Sequence, residues 1–195
     1  LTSTKISGSA TSTGSFGVLK LNKYNQGIGG QYNVILGAYG TGNPGTLTAD
    51  ENVLVGSMTG KALVGGGNNT MIGQQVGGLD TGVDKTVQIG FAAGNGGNKT
   101  SDADGTILIG YAAGYSLTSG GSNTIVGYEA LHFSTTGASN VYMGYQAGRG
   151  TSGYSNSSNV GIGYRALYLN RTGTENVSIG KDSMRDATTS DGTVA

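Results

Sequence analysis

The side chains able to do chemistry are few and scattered. The chain has one histidine, His132, and no cysteine. A Ser-His-Asp triad needs the imidazole held by an acid and set beside a nucleophile. His132 stands in an outer loop and reads as an exposed loop histidine. Asp80, Asp84, Asp102 and Asp104 fall in loops with no repeated spacing, whereas glycoside hydrolysis needs two carboxylates flanking one bond. Asp102-Ala-Asp-Gly105 has the look of part of a calcium loop. The full pattern needs an acid or amide first and a glutamate at the twelfth position. Counted from Thr100, those positions hold threonine and Tyr111. Asp102 and Asp104 are therefore only weak metal candidates, and a solvated acidic loop is the expectation. Gly40-Thr-Gly-Asn-Pro-Gly45 matches GxGxxG, but 39 of 195 residues are glycine and no helix follows to present its N-terminus to a phosphate. No catalytic residue, cofactor or metal is expected, so the chain does not read as an enzyme. Asn98-Lys-Thr100 and Asn170-Arg-Thr172 are glycosylation triplets, which matter only on a eukaryotic secretory route.

The elements that hold these residues come from a repeat. Its clearest copies are Asn123-Thr-Ile-Val-Gly-Tyr-Glu-Ala-Leu131, Asn140-Val-Tyr-Met-Gly-Tyr-Gln-Ala-Gly148 and Asn159-Val-Gly-Ile-Gly-Tyr-Arg-Ala-Leu167. The anchoring glycines are Gly37, Gly56, Gly73, Gly90, Gly110, Gly127, Gly144, Gly163 and Gly180, at steps of 17 to 20 residues. A period of this size means stacked repeats. Three residues before each glycine, all nine copies carry valine, isoleucine or threonine; one before it, all nine are aliphatic. These β-branched columns, two apart, share one side of a strand. They are expected to be an inward, stacked face, so that Ile109→Asp buries an unpaired charge. The column between them (Ile35, Leu54, Met71, Gln88, Leu108, Ile125, Tyr142, Gly161, Ser178) is also mostly apolar. A strand apolar on both faces lies between two layers. One is its own coil, and the other calls for a partner subunit.

The remaining columns mark the corners. Glycine suits a tight turn or a close backbone approach. Asparagine, present in seven of nine copies four residues before the glycine, suits a left-handed corner. Phe91, Tyr111, Tyr128, Tyr145 and Tyr164 follow the glycine and should stack at about 4.8 Å. Ala93, Ala113, Ala130, Ala147 and Ala166 supply a small inward position. Tyr24, Tyr32, Tyr154 and Tyr168 lie outside the ladder and read as packing residues, with sugar stacking as the alternative. The sequence thus predicts an all-β, parallel β-solenoid of about nine coils and roughly 40 Å.

Residues 1–32 form a lead-in in which Ser15-Phe-Gly-Val-Leu-Lys-Leu21 could be a strand; 33–184 hold the solenoid; 185–195 read as a polar, frayed tail. Longer loops follow the first, fourth and seventh copies and superimpose a period of 53 to 54 residues. Duplication of a three-copy block explains it; a wide triangular helix with three motifs per turn is the alternative. Formal charge is zero and charged residues are 11% of the chain, which argues against a nucleic-acid binder. No apolar run reaches the roughly 20 residues of a membrane helix. The chain opens at Leu1 without a methionine and neither end looks capped, so it reads as a fragment of a protein expected to continue both ways.

The phrase Asn-Thr/Val-x-Ile/Val-Gly-Tyr-x-Ala-Leu/Gly, followed by a Thr/Gly-rich loop, resembles repeats in bacteriophage tail fibres and in the heads of trimeric autotransporter adhesins. Thr4-Lys-Ile-Ser-Gly-Ser-Ala-Thr-Ser-Thr-Gly-Ser-Phe-Gly17 looks like segments that precede such repeats in marine phage fibres. The 17-residue step favours the phage-like group. The resemblance implies a left-handed β-roll, an elongated homotrimer, and a structural or adhesive fibre segment. It would serve as a rigid shaft or head for host attachment, on a virion or cell surface. It implies partners in the other two copies and in a cell-surface glycan or protein receptor; charge and hydropathy add the expectation of no nucleic acid and no membrane insertion. The alternative function is a glycan-binding module acting through its outer loops.

Overall fold

The computed structural model describes residues 32–36, 48, 50–151 and 154–195. The expected lead-in strand, the Gly40–Gly45 motif and Tyr24 lie outside them. Nine three-residue strands form one parallel sheet in chain order: β1 (Val34–Leu36), β2 (Val53–Val55), β3 (Thr70–Ile72), β4 (Val87–Ile89), β5 (Ile107–Ile109), β6 (Thr124–Val126), β7 (Val141–Met143), β8 (Val160–Ile162) and β9 (Val177–Ile179). Each strand pairs with the next copy of the motif without a register shift, as in Ile107↔Thr124 and Ile109↔Val126. One motif is therefore one coil of a parallel β-solenoid, which removes the wide triangular helix. The longer loops after the fourth and seventh copies are absorbed outside the ladder. The fourth contains a 3-10 turn, Ser101–Ala103, and the seventh a bridge from Tyr154 to Ser134.

The coil closes because left-handed residues recur at fixed places. Five residues before the anchor they are Glu51, Asn68, Lys85, Gly105, Ser122, Ser139, Ser158 and Glu175. Two after it they are Met58, Gln75, Ala92, Ala112, Glu129, Gln146, Arg165 and Asp182, and four after it usually glycine, as at Gly114 and Gly148. The anchor itself has a φ that side chains rarely adopt, +148° at Gly127, and a Cβ there would collide with the carbonyl of Gly144 in the next coil.

The asparagines do not take the left-handed corner. That conformation falls one residue earlier, and the asparagine side chains turn inward to form a ladder. Each Oδ1 accepts the backbone N–H of the same position one coil on, at 3.0 Å from Asn140 to Asn123, Asn159 to Asn140 and Asn176 to Asn159. Interior backbone groups need such partners because water cannot reach them. The ladder runs past residue 184: Thr193 N–H donates to Asn176 Oδ1, and Val194 bridges Val177. Residues 185–195, expected to fray, continue the stack.

The two uniform strand columns also differ from expectation. The middle column is the buried one in all nine strands, and the flanking columns are half-buried or exposed throughout. A coil this narrow has room for one strand side chain per turn, opposite the small alanines and residues such as Val76, Leu117 and Val83. That leaves valine, isoleucine and leucine facing out.

Candidate functional site

No reactive constellation assembles from the candidate residues. Asp102 is exposed on the 3-10 turn. Asp104 is half-buried, and its Oδ1 accepts the Asp84 N–H at 2.7 Å; Asp84 Oδ1 accepts the Gly67 N–H in the same way. These acids tie one coil to the next, and among the described residues no three metal-ligating side chains come together. His132 stacks on Tyr115 at 5.1 Å and meets the edge of Phe133 at 4.4 Å. Burial holds its pKa below the ordinary histidine value. The nearby Glu129 carboxylate is occupied by Arg149 at 2.9 Å and Gln146 at 2.8 Å.

Asp80 is not a loop acid. It lies fully buried in an ion pair with Lys99 at 2.8 Å and accepts from Gln88 at 2.7 Å. Burial pushes its carboxyl pKa up, against the pull of the Lys99 charge. The signal was present in the inward column, where Gln88 interrupts the apolar run and Thr86 and Thr106 replace asparagine. Removing one partner of such a pair strands a charge in the core, so the cluster marks the junction of the third and fourth coils.

Three surface features remain. The first is the aliphatic face of β1–β9. Eight steps of about 4.8 Å by three residues of about 3.3 Å give a strip about 38 by 10 Å. The second is the ring ladder Phe91, Tyr111, Tyr128, Tyr145 and Tyr164, with centroids 4.8 to 5.5 Å apart and planes within 11°. Stacked rings cover one another's faces, so the 40 to 45% that stays exposed is rim. A sugar needs a free ring face, and this ladder offers one only at its ends. At Tyr164 that end carries Arg165 at 5.0 Å and Lys181 at 5.8 Å. The third is a column five residues past the anchors, where Tyr115, His132, Arg149, Tyr168 and Arg185 follow one another, with Arg149 and Arg185 over Tyr168. Tyr168, expected to be a scattered packing residue, belongs to it. At lower coils this column thins to Asn95, Gly78 and Lys61, and a groove of about 250 Å³ opens.

Comparison with family models, curated proteins and solved structures finds no match for this chain. No helix among the described residues is long and apolar enough to cross a membrane.

Proposed function

We propose that the chain is a segment of a fibre displayed on a virion or cell surface, a phage tail fibre or an adhesin, in which three copies pack side by side along the rod. The observation that supports this reading is the outward aliphatic face. Sixteen of its eighteen positions in β1–β9 are valine, isoleucine, leucine or methionine, the exceptions being Thr70 and Thr124. A continuous apolar strip of several hundred Å² marks an interaction site on a soluble protein. A second copy of the same rod is the partner whose side chains recur at the same spacing over the same length, so the columns of one can mesh with those of another. The three-fold arrangement and the left-handed coil come from the resemblance to fibre repeats. With no active-site cluster among the described residues, the product of the fold is a stiff spacer with laterally presented loops, which suits attachment.

Light scattering behind size exclusion tests the reading. A species near three times 19.5 kDa is expected. A clean monomer at micromolar concentration would remove the trimeric fibre.

A further inference from the structure

The groove at coils two to five gathers polar side chains from four successive coils, and one of them, Tyr115, also stacks on His132. Its rims are Lys61 and Tyr115, three coil steps apart, or about 14 Å. Between them, the Asn95 amide fills the gap left by Gly78, Gln75 lines the wall beside it, and Leu79 adds an exposed apolar surface. Elsewhere on the rod many polar side chains reach from coil to coil: the asparagine ladder, Asp104 to the Asp84 N–H, Thr81 with Asn98, Arg149 with Glu129. Among the described residues, the ammonium of Lys61, the amides of Gln75 and Asn95 and the hydroxyl of Tyr115 carry no such pairing. Four unpaired polar groups converging on one concavity is what a polar ligand site requires.

We propose that this groove binds an acidic saccharide. Lys61 supplies the charge for a carboxylate or sulfate. The two amides offer donors and acceptors to neighbouring hydroxyls, and Leu79 with the side of Tyr115 covers the apolar C–H surface of a ring. The volume lies below that of drug-sized sites and suits one or two sugar units lying along the rod. An acidic peptide fits less well. The groove backbone is already paired between coils (Gln75 N–H to Ser57, Gly77 N–H to Ala93, Gly96 N–H to Tyr115), so no edge is free to add a strand. The inference gives a ligand chemistry to the attachment reading and rests on it for its biological sense. The groove itself comes from one chain, so its failure and that of the trimer are measured separately.

The test is calorimetric titration of the intact chain with 3′-sialyllactose and with lactose, which lacks the acidic unit. Sialyllactose should bind at least about tenfold more tightly. Lys61→Gln should erase that preference. Gly78→Leu should abolish binding while the chain still melts cooperatively: position 78 has no left-handed backbone, and the close contact of a Cβ there is with the Asn95 side chain, which can move. The proposal is overturned if neither sugar binds at millimolar concentration, if both bind equally, or if Gly78→Leu leaves binding intact. Light scattering on the same samples reports self-association independently.

Discussion

Tyr142 and Gly161 occupy the same interior column in successive coils, and the glycine makes room for the tyrosine. They are register partners in the β7–β8 ladder, and a Cβ on Gly161 would stand 2.7 Å from the Tyr142 ring. Gly148 makes room as well, since a Cβ there would stand 2.6 Å from the same ring. The interior is thus filled by volume exchange between neighbouring coils, as close packing demands. Gly161→Ala should cost about 1–3 kcal/mol by overpacking. In a Tyr142→Ile background the same change should be neutral or stabilising. Thermal melting of the four-member cycle reads the coupling, and additive effects would mean the two sites do not share space.

The anchoring glycines differ in what a side chain would meet. Gly127 (φ +148°) faces the carbonyl of Gly144, whereas Gly180 (φ +124°) has nothing within 4 Å. Gly180→Ala should carry only backbone strain, about 1–3 kcal/mol. Gly127→Ala adds a clash between coils and should exceed about 4 kcal/mol. Denaturant unfolding of the two variants separates the terms, and equal losses would mean that close approach is not what selects glycine.

Much of the fold was legible because the same physics repeats nine times. β-branched residues two apart fixed the strands, and the glycine period fixed the coil. The facing of the strand runs against the sequence pattern, because the uniformly apolar columns are the outer ones. In a coil this narrow the interior column must vary: Met71, Gln88, Tyr142 and Gly161 each answer a local volume or a polar partner. The outer face is free to stay uniform. Gln88 in the inward column marks a polar spot in the core, but the Asp80–Lys99 pair beside it, like the groove, was not legible, because each joins residues 17 to 20 or more apart through loops of unequal length. Their residue types alone give no sign of that proximity.

The single histidine allows a clean pH test. Burial lowers the His132 pKa in the folded state, so below the ordinary value of 6.5 the unfolded chain binds more protons. Stability should then fall as pH drops through 6.5 and below. His132→Phe keeps a ring on Tyr115 and should remove that part of the slope. Taking the difference between wild type and variant cancels the opposing contribution of Asp80, whose raised pKa weakens the fold as pH rises above 3.8. Urea titrations at several pH values measure it, and identical slopes would contradict a neutral, partly buried imidazole.

Adjacent residues of β5 test which way the strand faces and what its outer side is for. Leu108 is fully buried in the coil, and Ile109 is only half-buried on the outer face. Leu108→Asp should unfold the stack, because it places a charge in the core. Sedimentation velocity of Ile109→Asp is the decisive measurement. The account predicts that the wild type sediments near three times 19.5 kDa and that the variant sediments as a folded species of 19.5 kDa. An Ile109→Asp chain that stays both folded and trimeric would contradict it.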